Sequence, residues 1–368
     1  MSSRAILIAL NQAVKDGVFP GAVLLVSCCG EVRFHEAVGF AALKPRKIRM
    51  AHSTIFDLAS LTKPVATTAA VMRLMDRSAL VLEDTVSRFI PEFSGGEKDR
   101  VTVRHLLNHS SGLRAWEPFY KEAITRGRGR SGFVGSPAAK RFVLDRIHRS
   151  RLVYPPGTRS LYSDPGFILL GELIERVGGL SLDRFCRNEI FHPLGMKQTF
   201  YIKTGAKRRG RFAATERSDW RGKIVTGQVH DDNAYVMGGV VGHAGLFGTA
   251  MDLNRFAQMM LGSLRGDDTL ISKKVVETFV TRQATPGSSW VLGWDTPSEP
   301  SSSGRFFSPR SFGHLGYTGT SLWIDPEQDL SVVLLTNRVH PTRRNIKIRR
   351  FRPLIHDLVY REFIHDQA

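Results

Sequence analysis

Two periods of apolar and polar positions alternate along this chain, and the places where the period changes outline its organisation. Residues 3–15 carry apolar side chains at helical spacing, and Gly17 closes that run. Pro20-Gly21 then opens a continuously apolar segment, Ala22 to Cys28. Gly30 makes a turn and Val32 to Val38 returns, which predicts a β-hairpin. From Pro64 to about Gly210 the pattern is mostly helical. A short piece opens at Asp84-Thr85-Val86 and ends near Pro91, and another begins at Thr102, which suits a cap. A helix is expected from Pro137 to about His148, and one opened by Pro165-Gly166 carries Phe167, Leu170, Ile174 and Val177. Strand character returns at Phe312 to Tyr317, Thr320 to Ile324 and Leu330 to Thr336, and a basic amphipathic helix from about Arg343 to Phe363 closes the chain. Elements of one sheet at both ends and helices between them predict an α+β domain spanning 1–368. Its antiparallel sheet comes from residues 1–63 and 215–368, and a helical sub-domain, 64–214, is inserted. The cleft between the two is the expected site, because ligands favour such boundaries.

Composition keeps this picture within ordinary soluble enzymes: 368 residues, 42% hydrophobic and 23% charged. No apolar run approaches the roughly 18 residues needed to span a bilayer. The first fifteen residues hold only a six-residue apolar stretch, Ala5 to Leu10, so they read as a helix and not a signal peptide. A cytoplasmic monomer is expected; a wrongly assigned start codon would allow a periplasmic one. Cys28, Cys29 and Cys186 are odd in number and form no Cys-x-x-Cys, so they read as buried free thiols. The charge is +18, with basic clusters at 126–130, 207–211 and 343–352. No nucleic-acid motif accompanies them and the aromatics are not interleaved, so a solvated basic surface is expected, with no specific nucleic-acid partner.

The chemistry concentrates in three places. Ser60-Leu61-Thr62-Lys63 puts a hydroxyl and an amine on one helix face, at the start of a helix that continues through Val65, Ala69, Met72 and Met75. A serine is a weak nucleophile until a base takes its proton. Desolvation or a nearby cation is expected to lower the pKa of Lys63 for that task. Tyr162, in Tyr162-Ser163-Asp164, follows Pro155-Pro156-Gly157 and precedes a helix, a position that can present a phenol to a cleft. Beside an ammonium its pKa is expected to fall. The glycine-dense Gly313-His314-Leu315-Gly316-Tyr317-Thr318-Gly319-Thr320 suggests a strand that another backbone approaches closely, as a substrate peptide would.

In this order the three motifs resemble the serine β-lactamase and penicillin-binding-protein superfamily, nearest its class C-like branch of esterases, D-amino-acid peptidases and peptidoglycan-fragment amidases. The likeness runs from Pro20-Gly21-Ala22 to about Asn337, and the flank Leu106-Leu107-Asn108-His109-Ser110-Ser111-Gly112-Leu113 shares it. It implies a β-lactamase/transpeptidase-like fold and an acyl-enzyme on Ser60. Lys63 and Tyr162 would serve as proton-transfer groups, and His314 would tune Tyr162 or orient substrate. The backbone N–H groups of Ser60 and Tyr317 would form the oxyanion hole, without metal or cofactor. Asn108, Asp164 and Gly316 would contact substrate. Two residues depart from the pattern. Asp164 stands where the family has asparagine, and an ionised carboxylate cannot donate a hydrogen bond. His314 stands where lysine is usual, so recognition of a substrate carboxylate is less assured.

A second signature, Val229-His230-Asp231-Asp232-Asn233-Ala234-Tyr235 running into Gly238 to Phe247, is similar to the amidase subgroup. His230, Asp231 and His243 are substrate-side residues on this reading. His230 pairs with Asp231, the glycines line the cleft, and the spacing fits no standard zinc site. The expected activity is cleavage of an amide or ester bond in a peptidoglycan-derived peptide or muropeptide. A carboxylesterase or weak β-lactamase on the same site is the nearest alternative. A non-catalytic peptide- or glycan-binding sensor is the alternative of another class.

Overall fold

Six strands from the two ends of the chain meet in one antiparallel sheet. The computed structural model describes residues 4–129, 132–267 and 270–364. The strands are β1 (Gly21–Cys28), β2 (Glu31–Ala42), β3 (Ile48–Arg49), β4 (Phe312–Leu315), β5 (Ser321–Asp325) and β6 (Leu330–Thr336). Their order is β3-β2-β1-β6-β5-β4, so the N-terminal hairpin joins the C-terminal meander where β1 meets β6. Leu24 faces Leu334 and Val26 faces Val332 across that seam. β1 is buried along its whole length, which explains its unbroken apolar run.

Side chains on a strand alternate between faces, and the sheet therefore feeds two cores. Ala22, Leu24, Val26 and Trp323 pack with Ile6 and Leu10 of the N-terminal helix Arg4–Lys15 and with Ile355 and Val359 of the C-terminal helix Ile348–Phe363. Val23, Leu25, Val333 and Leu335 face the other way. They join Phe256 and Met260 of the helix Ala250–Arg265, and the same core continues through Met72 to Phe167 and Leu173. The sheet is thus covered on both faces, in the α+β arrangement expected from the sequence.

Three boundaries differ from the sequence expectation. β2 continues to Ala42, beyond the expected Val38. The last helix starts at Ile348 and not near Arg343, because the carbonyls of Arg343 and Asn345 accept from the Arg338 guanidinium, outside any helical ladder. Cys29 is exposed, unlike Cys28 and Cys186. It leaves the strand for the turn with φ 54°, so it is not the buried thiol expected. All three thiols are free. Arg130 of the first basic cluster lies outside the described residues. Among the described residues no helix is long and apolar enough to cross a membrane.

Candidate active site

Ser60 sits in a single 3₁₀ turn, Ala59–Leu61, that runs through a wide π-type turn, Lys63–Thr68, into the α-helix Ala69–Asp76. Pro64 falls in the first turn of the wide segment, where its missing N–H costs nothing. Ala59, just before Ser60, has φ 48°, a left-handed conformation that is strained for a residue with a Cβ. Neighbours hold it there. The Ala59 N–H donates to Asp57 Oδ1 (2.9 Å), and its carbonyl accepts from Thr62 Oγ1 (2.6 Å). Thr320 Oγ1 donates to the Leu58 carbonyl (3.0 Å) and Thr318 Oγ1 to that of Asp57 (2.7 Å). The Ser60 turn and the β4–β5 connection are thereby locked together.

Lys63 is 0% exposed, and its ammonium has three protein acceptors. They are Ser60 Oγ at 3.1 Å, Asp164 Oδ1 at 2.7 Å and the His243 carbonyl at 3.1 Å. Burial alone lowers the Lys63 pKa, but the Asp164 carboxylate, and then Tyr162, outweigh it and the net direction is upward. The expected lowering is therefore overturned, because the residue that departs from the family's asparagine supplies a counter-charge. Asp164 meets the lysine directly.

Tyr162 lies on a loop tied back at several points to residues 108–115. Its neighbour Leu161 donates to the His109 carbonyl, Ser163 N–H to His109 Nδ1 (3.0 Å), and Asp164 N–H to the Ala115 carbonyl. Ser163 also caps the helix Asp164–Gly178. The His109-Ser110-Ser111-Gly112 break is thus the scaffold of the Tyr162 loop. Asn108 belongs to that scaffold too: it is buried, and its amide oxygen accepts from Ser110 Oγ (2.6 Å). The Lys63 ammonium lies 4.8 Å from the Tyr162 ring centre. Burial nonetheless raises the Tyr162 pKa, against the lowering by Lys63, so the phenol stays protonated and the expected depression does not occur.

His314 is buried with its ring 6.0 Å from that of Tyr162 and 5.4 Å from Trp290. Its Nδ1 faces the Leu315 carbonyl at 2.8 Å, so that nitrogen carries the proton. Burial, with the nearby Lys63 charge, pushes its pKa down to about 3, and it is neutral at physiological pH. The glycines around it serve the protein's own packing. A Cβ at Gly316 would strike Thr320 and the Leu58 carbonyl, and one at Gly313 the Trp323 ring. The close backbone approach read from the sequence is present at Gly316, where the approaching chain is the Ser60 turn, and at Gly313, where it is β5.

The second signature is also rearranged. Asp231 pairs with His243 Nε2 (3.0 Å), not with His230. That contact, together with the Ala234 N–H, outweighs burial and holds the Asp231 pKa well below the carboxylate range. His230 instead approaches Glu216 (3.4 Å) and stacks on Tyr317, and its backbone N–H donates to Asp57 Oδ2 (2.6 Å). Most of the glycine run does not face the cleft. Gly242 meets the Phe167 carbonyl and Gly239 the Ile202 carbonyl, contacts that bring the His243 carbonyl to Lys63. Among the described residues no group of three His, Cys, Asp or Glu side chains is arranged to hold a metal.

Ser60, Tyr162, Tyr317 and Arg343 line a cavity of about 400 Å³ with Asp164, His230, Asp231 and His243. The first four also line a neighbouring cavity of about 540 Å³, where Gly316 appears. The family model described as Beta-lactamase matches residues 9–356. This chain belongs to the beta-lactamase family. An Escherichia coli K12 protein named "Putative D-alanyl-D-alanine carboxypeptidase" is 33% identical, covering 90% of this chain and 81% of its own. An N-acetylmuramyl-L-alanine amidase of Bacillus subtilis is 35% identical, covering 88% and 78%. The octameric penicillin-binding protein homologue of Pyrococcus abyssi superposes with a TM-score of 0.74 at 23% identity, over 100% of this chain and 82% of its own.

Within this beta-lactamase-family hydrolase, four residues around the site were given no functional role from the sequence, although His109 and Arg343 stand in segments noted there. Asp57 clamps the nucleophile turn, His109 and Trp290 wall Tyr162 at ring distances of 4.5 and 5.0 Å, and Arg343 pairs with Glu216 at the rim. Only Asp57 had a local signal, its place two residues before Ala59. The others reach the site from 49 or more positions away from Ser60.

Proposed function

We propose that the chain is a serine hydrolase that forms an acyl-enzyme on Ser60 and cleaves an amide bond in a peptidoglycan-derived peptide. The observation that carries this reading is the buried Lys63 ammonium bridging Ser60 Oγ and Asp164. As substrate binds, the Lys63 proton moves to Asp164 Oδ1 along their hydrogen bond. The freed amine takes the Ser60 proton while Oγ bonds to the carbonyl carbon. The N–H groups of Ser60 and Tyr317 receive the oxyanion, each donor contributing about 3 kcal/mol. Tyr162, kept protonated by burial, gives its proton to the departing amine. The resulting phenolate, beside the Lys63 charge, then accepts a proton from the water that attacks the acyl carbonyl; as the acyl–Oγ bond breaks, Lys63 returns its proton to Ser60 Oγ and regains one from Asp164.

The names of the carboxypeptidase and amidase relatives favour an amide substrate of peptidoglycan origin. The test is turnover by wild type and Ser60→Ala on a muropeptide digest, a chromogenic short-chain ester and a chromogenic cephalosporin, with mass spectrometry of the protein. Serine-dependent muropeptide cleavage with an adduct on Ser60 is expected. Preference for the ester would make it a carboxylesterase, and undiminished hydrolysis by Ser60→Ala would sink the mechanism.

A further inference from the structure

Two buried arginines stand behind the turn that carries Tyr317. Arg352 falls on the buried stripe of the C-terminal helix, one turn after Ile348 and in line with Ile355 and Val359, where an apolar side chain would complete the pattern. It is only 6% exposed, and Arg338, two residues past β6, is 8% exposed. A solvated arginine needs no partner, but a buried guanidinium costs free energy unless its donors and its charge are used. Neither meets a carboxylate among the described residues, and their hydrogen bonds go to backbone carbonyls.

Three of those carbonyls belong to one turn. Gly316 to Thr320 joins β4 to β5, closed by the Gly316 N–H on the Thr320 carbonyl (2.7 Å) and the Gly319 N–H on the Gly316 carbonyl (3.0 Å). Arg352 Nη2 donates to the Thr320 carbonyl (2.9 Å) and to the Gly316 carbonyl (3.3 Å). Arg338 Nε donates to the Tyr317 carbonyl (2.9 Å), and its guanidinium lies 4.6 Å from the Tyr317 ring centre.

The Gly316 carbonyl is one end of a peptide group whose other end is the Tyr317 N–H. Among the described residues no acceptor meets that N–H, and Tyr317 lines both cavities with Ser60. A cation at the carbonyl oxygen draws electron density from the amide and makes its N–H a stronger donor. At 3.3 Å the hydrogen bond itself is weak, but the charge still acts across a water-poor interior. Burial, with the charges of Arg338 and Arg349, pushes the Arg352 pKa down to about 9, so the guanidinium stays charged at neutral pH.

Resting on the hydrolase reading above, we infer that Arg352 is a positioning residue for the oxyanion hole. Its buried charge polarises the Gly316–Tyr317 peptide toward the oxygen of the tetrahedral intermediate, while Arg338 holds the next peptide in place. The effect is greatest in the transition state, because only there does that oxygen carry negative charge.

The test compares Arg352→Met, Arg352→Gln and Arg352→Lys on an uncharged chromogenic ester. Phenylboronic acid, which adds to a serine Oγ as a tetrahedral anion, serves as the probe of the hole. Arg352→Met should lower kcat/KM about tenfold or more and weaken the boronate by a similar factor. Arg352→Lys keeps the charge and should recover most of both losses. Arg352→Gln can reach a carbonyl without charge and should recover little. Circular dichroism checks the fold of each, and the Gln–Lys comparison decides the matter if the Met variant does not fold. Equal recovery by Gln and Lys would reduce Arg352 to a structural tie and overturn the inference, as would an unmoved boronate affinity in folded Arg352→Met. A loss confined to carboxylate-bearing substrates would also overturn it, since the guanidinium would then be a substrate contact. A wild type that neither hydrolyses the ester nor takes the boronate would instead remove the hydrolase reading and this inference with it.

Discussion

Lys63 divides the buried polar cluster beside Ser60 into two halves whose chemistry is opposite. On one side Asp164 meets the ammonium at 2.7 Å and keeps it charged despite full burial. On the other, His109 and His314 are equally buried and both remain neutral. The same two forces act on every member: desolvation disfavours charge, and a neighbour of opposite sign restores it. Only the lysine has such a neighbour. For the histidines the nearest charge is Lys63 itself, which adds to the effect of burial. One buried cation with one carboxylate is thus the charge state that the site accommodates.

The sharpest way to break the contrast is to remove its centre. Lys63→Met should lower kcat/KM at least ~1000-fold on any substrate found, because Ser60 loses its proton acceptor. Steady-state kinetics beside circular dichroism of the folded variant would check it, and near wild-type rates would show that Lys63 is not the base. Moving a charge to the uncharged half comes next. His314→Lys restores the family's usual residue but buries a second ammonium beside Lys63. It should cost about 2–4 kcal/mol in denaturant unfolding, unless the new lysine stays neutral. An equally stable variant whose added lysine titrates normally would contradict the one-cation account.

Asp164→Asn converts the charged half to the family pattern. The carboxylate raises the Lys63 pKa, so without it burial prevails and the pKa falls. More neutral amine is then present at low pH, and the acid limb of kcat/KM should move to lower pH. An unmoved acid limb would show that Asp164 does not set the charge of Lys63. The smallest effect is a slope. His314 and His356 have folded pKa values near 3 and 4 against an ordinary 6.5. Below pH 6.5 the unfolded chain binds protons that the folded chain refuses, so stability falls as pH drops toward 4. Glu216, held down to about 2 by His230 and Arg343, extends the loss below 4.5. Thermal unfolding between pH 7 and 4 would reveal it, and His356→Asn should flatten the slope.

Much of the scaffold is legible in the chain because its signals are local. The apolar run of β1, the cap at Thr102 and the prolines at 64, 137 and 165 act within a turn or a strand. The order of Ser60-x-x-Lys63, Tyr162 and His314 likewise follows from short motifs whose residue types suit one chemistry. Partners are another matter. That Asp231 takes His243 and leaves His230 to Glu216 depends on how the short helix Asp232–Val236 meets the glycine run. That a Cβ at Gly316 would meet the Leu58 carbonyl depends on β4 packing against the Ser60 turn. The charge of Lys63 shows the division most plainly. Its place beside Ser60 is a matter of three residues of helix, readable in sequence. Its protonation is decided by Asp164, 101 positions away, because electrostatic balance in a buried site is set by distance in space.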